Sequence, residues 1–108
     1  MMAKHEFGIM PCVPGVHERY DAYEPEKYGC IAVDDALIEC IAPEWSEIDT
    51  YWHTTDCPAK GLAYCGVTLI PPESLHAMTK GKTNAVSPLK ELFRQAAEGK
   101  RFVIHFGL

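Results

Sequence analysis

Apolar and polar positions alternate or recur along this chain in stretches that predict its elements. In "KHEFGIM", residues 4 to 10, Phe7 and Ile9 fall on one face of a first strand, and "PCVPG" stops it. "VHERYDAYEPEKYG" is polar, rich in tyrosine and without a clean period, which predicts a long loop with at most one helical turn. "GCIAV" reads as a short strand. Asp34 then stands where a helix needs a cap, and Asp35 adds negative charge to a first turn that favours it. Leu37, Ile38, Ile41, Trp45 and Ile48 recur at near-helical spacing, as a core-facing stripe does. Pro43 has no N–H to donate, so a break or kink is expected there, with Pro43 opening a second short turn.

"DTYWH" and "GLAYCGVTLI" are rich in residues that suit strands, and "TTDCPAKG" joins them. "PPESLHAMTKG" begins a helix with Pro72 near its first turn and places Gly81 after its end. A looser "KTNAV" leads to "SPLKELFRQAAEGK". There Ser87 suits the cap, Pro88 the first helical position and Gly99 the stop, and Leu89, Leu92, Phe93, Ala96 and Ala97 form one face. "RFVIHFGL" is a closing strand with Phe102, Ile104 and Phe106 on one side and Val103 and His105 on the other. A hairpin mixed with helices predicts an α+β fold, a mostly antiparallel sheet with helices packed on one face. At this length residues 1 to 108 make one domain.

Charge is uneven. Residues 1 to 56 carry a net −9 and residues 57 to 108 a net +4, for a total of −5. A net negative chain without a basic-aromatic stripe argues against nucleic acid and against anionic membranes as partners. The two halves are expected to pack with their charges on a solvated, mutually attractive surface, or else to present an acidic patch to a basic protein. No apolar run suits a signal peptide or a membrane span, so a cytoplasmic location with reduced thiols is expected. The five cysteines, Cys12, Cys30, Cys40, Cys57 and Cys65, are odd in number and contain no C-x-x-C pair, which excludes a complete disulfide framework.

Candidate chemistry gathers in "YWHTTDCPAKGLAYCG". Cys57 in the connecting loop, four residues after His53, is the candidate nucleophile, although Asp56 beside it disfavours a thiolate. His53, Asp56, Cys57 and Cys65, with His105 as a substitute, are ligand types for a tetrahedral site. The compact two-pair spacing is missing, and alternation sends Cys65 to the core with Val67 and Leu69, so no metal is expected. Without a phosphate-binding glycine motif, no cofactor is expected either. If Trp52 points inward, then Tyr51, His53, Tyr64, Thr68 and His105 share the sheet's second face as a polar-aromatic, ligand-binding surface.

The phrases "MAKHEFGIM", "YEPEKYGCIAVDD", "GLAYCGVTLIPPESL" and "FVIHFGL" resemble those of a group of small bacterial proteins without an assigned activity. The resemblance implies a bacterial, cytoplasmic, stand-alone domain and assigns no residue a role. The leading expectation is a non-enzymatic binding or accessory protein that engages a basic protein partner through Glu18, Asp21, Glu24 and Glu26, or pairs with a second copy as a homodimer. The alternative is a small enzyme or ligand-binding domain that uses the Tyr51, His53, Tyr64 and His105 face, with Cys57 as a reactive thiol.

Overall fold

A six-stranded, wholly antiparallel sheet in the order β2-β1-β6-β5-β3-β4 organises the chain. Its strands are β1 (Lys4–Ile9), β2 (Ile31–Asp34), β3 (Asp49–Trp52), β4 (Pro58–Lys60), β5 (Val67–Ile70) and β6 (Val103–Phe106). The computed structural model describes residues 3–107; Met1, Met2 and the Leu108 of the expected closing strand lie outside the described residues. Three α-helices, α1 (Asp35–Trp45), α2 (Pro72–Met78) and α3 (Ser87–Glu98), complete an α+β fold.

The helices cover one face of the sheet. Ile38, Ile41 and Trp45 of α1, Leu75 and Met78 of α2, and Leu89, Phe93 and Ala96 of α3 pack against Phe7, Val33, Ile70 and Val103. Each aliphatic side chain buried there contributes about 1.5–3 kcal/mol. Leu37 departs from its expected stripe and is exposed, because Ile38, Ile41 and Trp45 already fill the buried face of α1. The helix also runs through Pro43. The proline sits in the last turn, where only the hydrogen bond to the carbonyl of exposed Glu39 is lost, and buried Trp45 fixes the turn beyond it.

The caps differ from the sequence pattern in detail. Asp34 occupies the N-cap of α1, yet its side chain makes no capping hydrogen bond, and Asp35 has a partner elsewhere. Ser87 is the first residue of α3, with Val86 as its N-cap. At the other end Lys100 N–H donates to Ala97 O at 3.1 Å and Arg101 N–H to Ala96 O at 2.8 Å. This pair of bonds needs a left-handed residue, and Lys100, with φ 54°, supplies it in place of Gly99.

The region from 58 to 66 is the main departure. The expected connector contains β4, which pairs with β3, and the expected strand "GLAYCGVTLI" is extended only from Val67 onward. Residues 61 to 66 instead form a turn-rich wall at the end of the sheet. On the sheet's second face Met10, Val67, Leu69, Ile104 and Phe106 make a smaller core, covered by Tyr20, Tyr28 and Cys30 from the long segment between β1 and β2. That segment contains one 3-10 turn, Pro25–Tyr28, close to the loop with one helical turn that its polar pattern predicts.

Candidate functional site

Cross-strand register sets Phe7 of β1 and Thr68 of β5 on either side of His105 in β6, all on the helix-covered face. His5 precedes Phe7 by the strand's two-residue period and meets His105 on the same face. Both histidines and Thr68 are fully buried, so each polar atom needs a partner within the protein.

Those partners form one directed chain. Ala63 N–H donates to Thr68 Oγ1 at 2.8 Å, and the Thr68 hydroxyl faces His105 Nδ1 at 3.1 Å. His105 Nε2 lies 2.8 Å from His5 Nδ1, and His5 Nε2 lies 2.9 Å from Asp35 Oδ1. With Asp35 ionised, one assignment satisfies every atom. The Thr68 O–H donates to His105 Nδ1, His105 Nε2–H to His5 Nδ1, and His5 Nε2–H to the carboxylate. Tyr64 sets its ring edge-on to His5, with centroids 4.9 Å apart, and its hydroxyl donates to the same Asp35 oxygen.

The electrostatics follow from these contacts. The Tyr64 hydroxyl and His5 hold the Asp35 carboxyl below its ordinary value, and Asp35 in turn raises the Tyr64 phenol. Burial first, and nearby His5 second, push the His105 imidazole down to about 3. His105 is therefore neutral at physiological pH.

The two ends of this chain hold consecutive residues, Ala63 through its amide and Tyr64 through its hydroxyl. The next two, Cys65 and Gly66, wall an open cleft of about 590 Å³ at the end of the sheet. Gly107 N–H donates to Gly66 O at 2.7 Å and ties this wall to the end of β6. Lys4 from the start of β1, Asp21, Tyr23, His53, and Val67 and Phe106 of the sheet also line it, with Ala3 and Gly107. Tyr23 packs edge-on to Phe106, and its hydroxyl donates to Glu6.

His53 is held in the cleft by its backbone. Its φ is 65°, a left-handed conformation that costs a residue with a Cβ about 1–2 kcal/mol. Two backbone bonds hold it there, from its own N–H to Val67 O at 2.9 Å and from Tyr20 N–H to its carbonyl at 2.7 Å. A Cβ on Gly66 would stand 2.7 Å from His53 Nε2 and 3.0 Å from Cε1, so the ring occupies the space a side chain there would need. Asp21 Oδ1 lies 2.7 Å from His53 Nδ1 but out of line for an N–H, which leaves this enclosed nitrogen near a charge without a directed hydrogen bond. Arg19 Nε donates to the other Asp21 oxygen at 3.0 Å and is the main reason the Asp21 carboxyl lies below its ordinary range.

The expected Tyr/His face is divided by the sheet. Trp52 pairs directly with Thr68, so Thr68 and His105 share the side to which Trp52 points, the helix side. Tyr51 pairs with Leu69 and packs in the opposite core, while His53, beyond the end of β3, turns into the cleft. Thr68 and His105 are sealed from solvent; Tyr64 joins them through Asp35. Trp52 remains 37% exposed at the sheet's margin, with its indole N–H on Gly61 O. Cys65 is exposed and lines the cleft, a correction to its core assignment, because the alternation of β5 does not reach back past Val67.

Cys57 is exposed outside the cleft lining, and Asp56 is taken by His17 at 2.6 Å. Among the described residues no group of three or more His, Cys, Asp and Glu is arranged to hold a metal ion. Of the acidic set, Glu18 accepts the Tyr20 hydroxyl and Asp21 serves Arg19 and His53; Glu24 and Glu26 are exposed. Sequence reasoning missed His5, Asp35, Lys4 and Tyr23 as site residues. His5 was visible in principle, since it alternates with Phe7 and Ile9 and so belongs to their buried face. Asp35 was absorbed by the helix-start reading.

Compared with known proteins, the chain matches no family model, no curated protein and no solved structure.

Proposed function

We propose that the protein binds a small zwitterionic molecule with an apolar body, of the size of an amino acid or dipeptide, in the cleft at the end of its sheet. The observation that carries this reading is the lining itself. Lys4 supplies a cation and Asp21 an anion beside Val67 and Phe106, within a volume typical of small-ligand sites. The ammonium suits a ligand carboxylate, the Asp21 carboxylate suits a ligand ammonium, and Tyr23 and Phe106 offer aromatic area to an apolar side chain. The strained His53 beside Asp21 supports the same location, because backbone strain of this kind gathers at ligand sites.

Amide shift perturbation with a panel of free amino acids and dipeptides tests it. Saturable shifts at Lys4, His53, Gly66 and Gly107, weakened at least about tenfold in Asp21→Asn, are expected. A panel that leaves those amides unmoved at millimolar concentration defeats the proposal.

A second reading keeps the acidic segment as a surface for a basic protein. Exposed Glu24 and Glu26 favour it, and the internal use of Glu18 and Asp21 narrows the patch. Reversing Glu24 and Glu26 to lysine should abolish low-salt capture by a basic partner; undiminished capture removes this reading.

A further inference from the structure

We infer that His5 and His105 form a one-proton switch whose protonation reverses the buried hydrogen-bond chain and resets the cleft wall from Ala63 to Gly66. At neutral pH the chain runs from Ala63 N–H through Thr68, His105 and His5 to Asp35, each of the three middle groups giving one hydrogen and receiving one. The polarity is forced. The Asp35 carboxylate requires a hydrogen on His5 Nε2, so the Nδ1 of neutral His5 accepts, and the 2.8 Å contact then places the one shared hydrogen on His105 Nε2.

A proton added to the pair is taken up without charging His105. The hydrogen on His105 Nε2 passes to His5 Nδ1, and the incoming proton ends on His105 Nδ1. The balance is one proton gained, one imidazolium at His5 and one neutral imidazole at His105 with its hydrogen moved to the other nitrogen. His5 is the ring that carries the charge because its Nε2 faces the Asp35 carboxylate, whereas His105 faces only the Thr68 hydroxyl. The groups around the pair agree. Helix α1 brings Asp35 and, through the Tyr64 hydroxyl at 3.4 Å, Glu39; the wall brings Tyr64; β5 brings Thr68; Lys4 is the neighbouring cation on β1; and α3 brings apolar Phe93 against Phe7.

The consequence reaches the wall through Thr68. In the reversed chain His105 Nδ1–H donates to Thr68 Oγ1, which already accepts Ala63 N–H. The hydroxyl hydrogen must then leave its place between Thr68 and His105, and the two donors share one oxygen. The Ala63 anchor weakens, and Gly66 and Gly107 follow because Gly66 N–H donates to Ala63 O and Gly107 N–H to Gly66 O. Control of ligand entry by this device rests on the cleft reading above; the switch itself does not.

Imidazole and amide nitrogen resonances of the ligand-free full chain, followed from about pH 8 to about pH 5, test it. The expected result is that His105 exchanges Nε2–H for Nδ1–H as His5 becomes imidazolium, with one shared midpoint, and that the Ala63, Gly66 and Gly107 amides move with that midpoint. Thr68→Val should keep the histidine titration and lose the amide response. A His105 that keeps its tautomer, two histidines that both charge, or amides that ignore the midpoint overturn the inference. So does an amide response that survives in Thr68→Val. If no zwitterion binds while the tautomer exchange and the amide response are seen, the cleft reading alone fails.

Discussion

His5 and His105, at opposite ends of the chain, meet Nδ1 to Nε2 at 2.8 Å beneath the helices, and this contact closes β1 onto β6 with polar rather than apolar atoms. Removing the His105 ring leaves His5 Nδ1 buried without a partner, while His5 Nε2 keeps Asp35. His105→Ala is expected to cost about 3 kcal/mol or more, through an unpaired imidazole nitrogen plus a cavity, as read from urea unfolding midpoints.

The same pair makes stability depend on acid. Folded His105 binds its proton near pH 3 and the unfolded side chain near 6.5. Between those values the unfolded chain holds the extra proton, so falling pH favours unfolding by up to about 1.4 kcal/mol per pH unit. The contribution is complete above pH 6.5 and is lost progressively as pH falls toward 3. Asp35, whose carboxyl is held low in the fold, adds a loss of the same sign at the acid end of this range. Urea midpoints at two pH values within the window, for the wild-type chain and for His105→Gln, check the slope; equal slopes would contradict the assignment.

Gly66 makes room for His53. A methyl group there would collide with His53 Nε2, and the ring has its backbone pinned on both sides. Gly66→Ala is expected to displace the imidazole from the cleft and to cost about 1–3 kcal/mol by overpacking. Its thermal midpoint and the His53 ring resonances report the two effects separately. In the double variant with His53→Ala the stability cost should shrink.

The five thiols should react unequally. Burial, with Glu6 as a lesser cause, pushes the Cys30 thiol up to about 11, while Cys12, Cys40, Cys57 and Cys65 are exposed. At neutral pH Cys30 is expected to alkylate at least about tenfold more slowly than the other four, because the thiolate is the reacting species. Peptide mapping after timed iodoacetamide treatment measures each rate. A Cys57 that reacts no faster than Cys12 would end its candidacy as a nucleophile.

Lys100 carries the left-handed turn that ends α3. Its side chain is exposed, so Lys100→Gly removes backbone strain without opening a cavity. A gain of about 0.5–1 kcal/mol is expected in thermal unfolding. No gain would mean that the glycine's greater freedom in the unfolded chain offsets the relieved strain.

Much of the architecture could be read from local pattern. Ile38, Ile41 and Trp45, and Leu89, Phe93 and Ala96, recur at helical spacing and are buried as that spacing requires. The parity of "RFVIHFGL" correctly divided Ile104 and Phe106 from Val103 and His105. What failed was the step from one strand to the next. Alternation says which residues of a strand share a side, but register decides which side of the neighbour they join, and Trp52 opposite Thr68 reversed the expected grouping of Tyr51 and His53. The reading of Cys65 failed for a related reason, since the pattern continues through residues that the backbone has already turned out of the sheet.

The sequence by itself determined the helices, the strands with strict parity and the charge imbalance, because each depends on neighbours a few positions away. Tertiary structure decided the site. His5 joins Asp35 across thirty positions and His105 across one hundred, and Asp21 comes to His53 from a loop with no period at all. Such contacts come from strand order and from the path of the 11–30 segment over the second face, which no local spacing encodes. Burial then turned ordinary histidines into a directed chain, because only away from water must every nitrogen find a partner in the protein.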